Sequence, residues 1–190
     1  MVRPTAPLSL GSLQLSPAGP EHLESVLAGI EQSRPEVHRA LPWVEWDQDL
    51  GPQIFEYLEE VDRLGKGGLT HHWVVLEDGE MGGLIALDHT PHLVVGHWNL
   101  GYWIRNDHQG QGLAGRAIDA ALDWIGRGGL TSLEIRVDPV NIAGVATAES
   151  VARRWRGHRL VEGDREVEVE GEMVMHHCWL IPRLPLEASE

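Results

Sequence analysis

The sequence predicts a mixed α/β fold built on a substantially antiparallel sheet. Two alternating apolar runs flank Asp78 and Gly79, a pair typical of tight hairpin turns, so these two strands are expected to run antiparallel. Apolar residues recur with helical spacing elsewhere, first in segment 23–30. The chain has 190 residues, 42% of them hydrophobic and 23% charged, with eight Trp. This length and composition exclude a disordered protein and suffice for one domain with a sizeable core.

The elements follow one another along the chain without an internal repeat. Alternation predicts an opening strand with a turn or bulge at Gly11, and later strands, at 8–17, 71–78, 80–90, 97–105, 131–138 and on either side of Gly171. Helical spacing, Ala content and the positions of Pro and Gly predict helices at 23–30, before Pro42, around 54–61, at 113–125 and at 141–155.

Charge and cysteine content restrict the partners. Lys and Arg number 15 against 29 Asp and Glu, a formal charge of -14 without any basic run. Nucleic-acid and anionic-membrane partners are therefore disfavoured, and a cationic substrate is mildly favoured, although acidity also serves solubility alone. Cys178 is the only cysteine, which is consistent with a cytoplasmic location. The N-terminus lacks the apolar core of a signal peptide, and no segment has the apolar length of a membrane span.

A glycine-rich stretch between a predicted strand and a predicted helix allows several interpretations. Gly110, Gly112 and Gly115 form G-x-G-x-x-G, the dinucleotide-binding pattern, whereas Gln109, Gly112 and Ala114 form Q-x-x-G-x-A. Either pattern places backbone amides at a helix N-terminus, where an anion is favoured. A purely structural tight turn is the third interpretation. Five polar residues separate the strand from the first glycine, and the preceding hairpin indicates a substantially antiparallel sheet. A dinucleotide fold needs crossover helices between parallel strands, and fewer than two such units fit after residue 115, so the dinucleotide interpretation is disfavoured.

The segment LGYWIRNDHQGQGLAGRAIDAALDWI resembles the strand, pyrophosphate loop and helix of the GNAT acyltransferases, in particular the RimJ/RimL-like group, which acetylates protein N-termini and small amines. The segment SRPEVHRALPW before it and Asp138-Pro-Val-Asn141 after it fit the same family in order. The resemblance covers residues 8–182 and leaves 1–7 and 183–190 as terminal tails. It implies a GNAT-like single domain with a mixed, largely antiparallel sheet of six or seven strands, helices on both faces, and acetyl-CoA as co-substrate.

The resemblance also implies which residues bind CoA. The backbone of the loop would hold the pyrophosphate, and the strand before it would pair with the pantetheine arm and polarise the thioester carbonyl. Asn141 would orient CoA or, equally, cap the helix that begins there. The cofactor-binding residues implied are Trp103, Ile104, Arg105, Gln109, Gly110, Gln111, Gly112, Leu113, Ala114, Gly115 and Asn141.

The catalytic residues depart from the family pattern. Related enzymes often carry N-x-x-S after the strand that follows the loop, but this chain has Gly144 at the serine position and its next hydroxyls at Thr147 and Ser150. Asn99 stands where a glutamate base is common, and an amide cannot act as a base. The candidate catalytic residues are Asn141, Ser150 and Asn99, and the candidate replacement bases are His38, Glu45, Asp47 and His72.

The functional hypothesis is acetyl transfer from acetyl-CoA to a primary amine, either a protein N-terminus or a small cationic amine, by direct attack. An acceptor of lysine type, with a pKa of about 10.4, must lose a proton before it attacks. A non-catalytic acyl-CoA-binding module is the alternative, because Gly144 and Asn99 stand where related enzymes often carry the serine and the glutamate that take part in the chemistry. No metal is expected, since neither His89 and His92 nor the His176–Cys178 run offers convergent ligands. A homodimer is a further expectation from similar proteins.

Overall fold

The computed structural model describes residues 3–89 and 97–185. The strands are β1 (Leu8–Leu10), β2 (Leu13–Pro17), β3 (His71–Glu77), β4 (Glu80–Asp88), β5 (Trp98–Ile104), β6 (Thr131–Val137), β7 (His158–Arg159), β8 (Arg165–Val169) and β9 (Glu172–Leu184). The helices are α1 (Leu23–Gln32), α2 (Val37–Ala40), α3 (Leu50–Lys66), α4 (Leu113–Gly126) and α5 (Ile142–Arg154). His92 and the outer residues of both predicted tails lie outside the described residues.

The chain forms two compact units, each made of two stretches of sequence. The first comprises Met1–Ala86 and Tyr102–Ala117, and the second comprises Leu87–Gly101 and Ile118–Glu190, so β4, β5 and α4 contribute residues to both. In the first unit the strand order is β1-β2-β3-β4-β5, with β1, β2 and β3 antiparallel. In the second it is β5-β6-β9-β7, and β8 also pairs with β9. Here β5 and β6 are parallel, and the pairs that include β9 are antiparallel.

Helices α1 and α3 supply the apolar layer of the first unit. Their inward faces bury Val26 and Ile30 from α1, and Ile54 and Leu58 from α3, in one cluster with Val74 of β3. Helix α3 is longer than the apolar spacing predicts because Asp49 caps it, accepting a hydrogen bond from the Gly51 N–H at 3.0 Å. Each fully buried aliphatic side chain of this kind contributes roughly 1.5–3 kcal/mol, so the cluster stabilises this unit.

The second unit is centred on β6 and β9, which bury Leu133, Ile135 and Ile181. Two charged residues of β6, Glu134 and Arg136, are also buried in this unit. They form an ion pair of 2.7 Å, and their side chains are 0% and 7% exposed. In the strand register Asn99 of β5 is the Cα partner of Glu134. Asn99 therefore lies next to a buried charged pair, which is a polar environment inside an otherwise apolar sheet.

The predicted class, a mixed α/β fold with a largely antiparallel sheet, is confirmed, and the strands number nine in the described part of the chain rather than six or seven. Residues 8–17 form two strands because Gly11 turns the chain with a left-handed φ of 64°. Strand β7 contains two residues, too few to leave a pattern in the sequence. No helix within residues 3–89 and 97–185 has both the length and the apolar character needed to cross a bilayer.

Truncation of Leu58 tests the packing of α3. Replacing this fully buried side chain by Ala should lower the free energy of unfolding by about 2–5 kcal/mol, because the cavity is surrounded by packed side chains. Phe55→Ala on the same helix is the control, and its exposed side chain should cost roughly 1 kcal/mol or less. Urea unfolding followed by circular dichroism measures both. Equal losses would contradict the assigned buried face of α3.

Candidate active site

The loop between β5 and α4 has a backbone that requires glycine at two positions. A short 3-10 turn, Asn106–His108, is followed by Gly110 and Gly112, whose φ angles are 74° and 72°. A Cβ built on either residue meets no atom of the described structure within 4 Å. The glycines are therefore needed for their left-handed conformation, and the space beside them is open to a ligand.

Backbone amides at the start of α4 are available to an anion. The first backbone hydrogen bond of this terminus runs from the Arg116 N–H to the Gly112 carbonyl at 3.1 Å. Within the described residues, the amides from Gly110 to Gly115 donate to no backbone carbonyl. Unpaired N–H groups and the helix dipole favour a negative group such as a phosphate here. The backbone predicted to hold a pyrophosphate thus has the chemistry for it.

The two glutamines of the loop support it from within. The side-chain amide of Gln109 donates to the Ile104 carbonyl at 3.0 Å and to Asn106 Oδ1 at 3.2 Å. Gln111 donates to the Asp107 carbonyl at 3.2 Å. The N–H of Gln109 donates to the Asn106 carbonyl at 3.3 Å, so it is already engaged. Both residues were predicted to bind CoA through their backbones, and both side chains fasten the loop.

Arg105 joins the loop to β4. Its guanidinium donates to the Asp107 carboxylate at 2.6 and 3.1 Å and to the Met81 carbonyl at 2.8 Å, and its backbone N–H donates to Gly82. Nδ1 of His108 lies 2.8 Å from the same carboxylate. The hydrogen bond from His108 and the contacts of Arg105 hold the pKa of Asp107 below its usual range. Arg105 was predicted to contribute backbone and charge to CoA, and its charge is largely matched by Asp107.

Two glycines of β4 allow the loop to approach, and the sequence interpretation missed them. A Cβ on Gly82 would lie 2.7 Å from Leu113 Cδ2 of α4 and 3.3 Å from the His108 ring. A Cβ on Gly83 would overlap the carbonyl oxygen of Trp103 on β5. The adjacent pair Gly-Gly inside a predicted strand is the signal that was available, because glycine in a strand often marks close backbone approach.

One candidate base of the first unit, His72, lies in an aromatic cluster. Trp43, 45% exposed, stacks on Tyr57 with ring centroids 4.6 Å apart, and the Tyr57 hydroxyl lies 2.9 Å from His72 Nδ1. Burial, with a smaller contribution from the neighbouring His71, lowers the pKa of His72 to about 4. The His72 ring is therefore neutral at physiological pH and a weak base.

The other three candidates have different surroundings. The His38 ring stacks on Trp46 at 4.0 Å. Glu45 and Asp47 are exposed, and the Glu45 carboxylate accepts a hydrogen bond from Gln48. Of the four predicted bases, only His72 belongs to the stack formed by Trp43 and Tyr57.

In the second unit Asn141 caps α5. Its Oδ1 accepts a hydrogen bond from the Gly144 N–H at 2.9 Å, which is the capping role considered in the sequence interpretation. A Cβ on Gly144 would lie 2.6 Å from Asn141 Nδ2 and 2.9 Å from Val137 Cγ1. A serine at position 144 would therefore displace the cap. The departure from the family pattern at this position is consistent with the local packing.

The hydroxyls of α5 make structural contacts. Ser150 Oγ accepts a hydrogen bond from Arg154 at 2.6 Å, and Arg154 also forms an ion pair with Asp119 at 3.0 Å. The Thr147 hydroxyl donates to the Ala143 carbonyl at 2.9 Å, one turn back along the helix. Ser150, predicted as a candidate acid, lies in a surface network that fixes the end of α5.

Asn99 holds a carboxylate that the sequence interpretation overlooked. Its Nδ2 donates to Asp88 Oδ1 at 3.2 Å, which joins the second residue of β5 to the last residue of β4. Burial raises the pKa of Asp88, and the hydrogen bond from Asn99 and the nearby His89 partly oppose that effect. The His89 ring stacks on Trp98 at 4.2 Å. In the sequence, Asp88 could be seen only as an acidic residue at the end of a predicted strand, followed by His89. That pattern gave no reason to prefer Asp88 over the other acidic residues.

Together these features define a class of protein. A mixed, largely antiparallel sheet whose fifth strand leads through a glycine loop with unpaired amides into a helix is the arrangement of an acyl-CoA-dependent acyltransferase. A family model described as acetyltransferase (GNAT) domain matches residues 12–152. The chain belongs to the GNAT acetyltransferase family, so the predicted family and the predicted enzyme class are confirmed.

Solved structures of low sequence identity share the fold. RimL, a ribosomal protein alpha-N acetyltransferase in complex with coenzyme A, is 16% identical, with a TM-score of 0.76 over 92% of this chain and 97% of that one. The microcin self-immunity acetyltransferase MccE, in complex with acetyl-CoA and AMP, is 15% identical, with a TM-score of 0.75 over 90% of this chain and 92% of that one. The ribosomal-protein-alanine acetyltransferase of Vibrio fischeri is 14% identical, with a TM-score of 0.75 over 92% of this chain and 95% of that one. No curated protein sequence matches the chain. The presence of CoA and acetyl-CoA in such structures supports the predicted co-substrate, whereas the individual site residues stay predictions.

Substitution of Gly112 tests the loop. Gly112→Ala should destabilise the protein by about 1 kcal/mol through its left-handed φ and should also weaken CoA binding at least tenfold, because the amides beside it shift. Gly79→Ala is the matched control, since Gly79 has φ 84° and equally open surroundings in the turn before β4. Isothermal titration with CoA and thermal melts measure both effects. If the two variants bind CoA equally well, the loop is not the pyrophosphate site.

Restoration of the family serine tests the cap. Gly144→Ser should lower the free energy of unfolding by about 1 kcal/mol or more and should not raise the acetylation rate, because the new Cβ displaces Asn141 from the N-terminus of α5. Ala143→Ser, one residue earlier on the exposed face, is the control and should be nearly neutral. Urea unfolding and a CoA-release assay measure the two effects. A faster and equally stable Gly144→Ser variant would show that the chain merely lacks a catalytic hydroxyl.

Proposed function

We propose that this acetyltransferase acts on a primary amine, either the N-terminus of a protein or peptide or a small cationic amine. The loop of Gly110 and Gly112 is the observation that carries the proposal, because its unpaired amides suit the pyrophosphate of a CoA thioester. Its residues from Gly110 to Gly115 would hold the phosphates, with Gln109 and Arg105 as braces. Acetyl-CoA, when bound, supplies an activated acyl carbonyl.

The acceptor class follows from charge and from the names of similar proteins. The formal charge of -14 favours a cation, and so do the exposed carboxylates Glu45 and Asp47, which follow Trp43 within four residues of sequence. The exposed ring of Trp43 is also suited to cation–π contact with an ammonium group. RimL and the Vibrio fischeri enzyme are named for acetylation of ribosomal proteins, and MccE for immunity to a microcin. These names support a peptide-like amine as the acceptor.

We propose Asp88, a partly buried carboxylate of the second unit that is held by Asn99, as a candidate proton acceptor. An ammonium acceptor must lose a proton before its nitrogen forms a bond to the acyl carbon, and the C–S bond then breaks to release CoA as a thiolate that solvent protonates. Burial raises the pKa of Asp88 and makes its carboxylate a better proton acceptor than an exposed one. Asn99 fixes one carboxylate oxygen through its amide, so the residue in the usual glutamate position serves as a positioning residue.

Three further parts of the proposal rest on composition and family resemblance. The acidic balance and the single cysteine are consistent with a cytoplasmic location and with the expected lack of nucleic-acid and membrane partners. A homodimer is expected from the resemblance. Asn141 and Ser150 stay candidate catalytic residues, although capping and an arginine contact account for their hydrogen bonds.

A turnover assay tests the function. Purified protein is incubated with acetyl-CoA and separate panels of N-terminal peptides, polyamines and aminoglycosides, and CoA release is measured against a control without enzyme. The proposal predicts that at least one amine panel stimulates release and that mass spectrometry finds a 42 Da addition on its amine. CoA binding in titration without stimulated release by any acceptor would favour the non-catalytic binding module.

Removal of the Asp88 carboxylate separates catalysis from stability. Asp88→Asn should lower kcat/KM by about 10²–10⁴-fold and abolish the acid limb of the pH profile. The fold raises the pKa of Asp88 above its value in the unfolded chain. The stability linked to this carboxyl is therefore fully present below the pKa of the unfolded chain and is lost as the pH rises through the pKa of the folded protein. At neutral pH the variant should therefore melt no lower than the parent.

Glu80→Gln, on the exposed start of β4, is the control for this experiment and should leave the pH profile unchanged. Thermal melts at pH 7 and initial rates between pH 5 and 9 are the measurements. If Asp88→Asn keeps the full rate and the same acid limb, Asp88 is not the base.

A further inference from the structure

The hairpin of β8 and β9 has an exposed face that includes two methionines. The register pairs Glu166 with Met175 and Glu168 with Met173, so these four side chains lie on one face of the hairpin. Met173 is 59% exposed and Met175 47% exposed, and both glutamates are exposed. Flexible, polarizable methionine side chains on a surface suit contact with a second chain. Nothing in the acetyl-transfer chemistry described above uses this face.

The same hairpin has an open backbone edge. Its turn residues Glu170 and Gly171 have φ angles of 51° and 80°, as in the two-residue turn that places Val169 opposite Glu172 in a hydrogen-bonded pair. Alternation of antiparallel pairing then directs the N–H and C=O groups of Glu166 and Glu168 away from β9. Between residues 3 and 89 and between 97 and 185, β9 is the one strand that pairs with β8. Such an edge can accept a further strand.

We propose that this edge binds an extended, basic segment of a partner protein as an additional strand. Antiparallel or parallel addition would satisfy the outward backbone groups of Glu166 and Glu168. The partner's side chains on the methionine face would lie beside these glutamates, so Lys or Arg at every second position gives charge complementarity. Met173 and Met175 lie one strand further from this edge, on β9, so the glutamates of β8 are the residues that the added strand meets first. The partner segment is therefore extended and carries a basic residue at every second position.

A second copy of this chain is a poor occupant for the same edge. Pairing β8 with another β8 would place glutamates beside glutamates, and like charges on adjacent strands are destabilising. The formal charge of -14 adds repulsion between two copies. Charge thus selects a basic partner over self-association at this edge.

The test uses a fluorescein-labelled ten-residue peptide of alternating Lys and Val. Binding is measured by anisotropy, and the backbone amides of the full chain are followed by NMR. Strand addition predicts shifts at residues 165–169 and loss of binding when every second peptide amide is N-methylated. The double variant Glu166→Lys, Glu168→Lys should weaken binding at least tenfold.

The matched control is Glu59→Lys with Glu149→Lys, which changes the net charge equally at exposed helix positions. It should bind the peptide within about threefold of the parent, because it leaves the hairpin intact. Equal weakening in both charge-reversed variants would overturn the proposal in favour of non-specific attraction. So would undiminished binding of the N-methylated peptide, or dimerisation of the chain through this hairpin without peptide. CoA release with a minimal amine acceptor, measured in parallel, keeps failure here distinct from failure of the acetyltransferase assignment.

Discussion

The left-handed backbone at Gly110 and Gly112 is the constraint on which the candidate site depends. It brings the chain from β5 into α4 with amides that have no backbone acceptor in the described structure, and no side chain could occupy either position without strain of about 1 kcal/mol. An anion that accepts from these amides would remove their unsatisfied state. Because the chain belongs to the acetyltransferase family, the pyrophosphate of acetyl-CoA is the anion that we propose for these amides.

Polar side chains around this loop mostly support the backbone. Arg105 and Gln109 bind carbonyls and carboxylates of the loop and of β4, and the glycines Gly82 and Gly83 let these elements approach. The second unit follows the same division, since Asn141 caps α5 and Asn99 fixes Asp88. In the proposed function, backbone amides bind the co-substrate and the partly buried carboxylate of Asp88 accepts the proton. Substitution of a bracing side chain should consequently act through the position of the loop.

The sequence predicted the element order and the position of the loop because these depend on local spacing. The helix at 23–30, the turn at Asp78 and the strand at 131–138 follow from apolar periodicity and turn chemistry, and the loop from its glycines. Asp88 was not found, because burial of its carboxylate raises its pKa and its hydrogen bond comes from Asn99, eleven residues away on another strand. Nor could the pattern show that the Ser150 hydroxyl contacts Arg154 or that a Cβ at Gly144 would meet Asn141. These depend on side-chain packing that single-sequence spacing does not encode.

Amide NMR of the labelled protein during titration with CoA tests the central claim most directly. If the loop holds the pyrophosphate, the amide signals of residues 110–115 should move on addition of CoA, and pantetheine, which lacks the nucleotide, should leave them in place. Saturating CoA that moves signals elsewhere while leaving those of 110–115 unchanged would contradict the assignment of this loop as the acetyl-CoA pyrophosphate site.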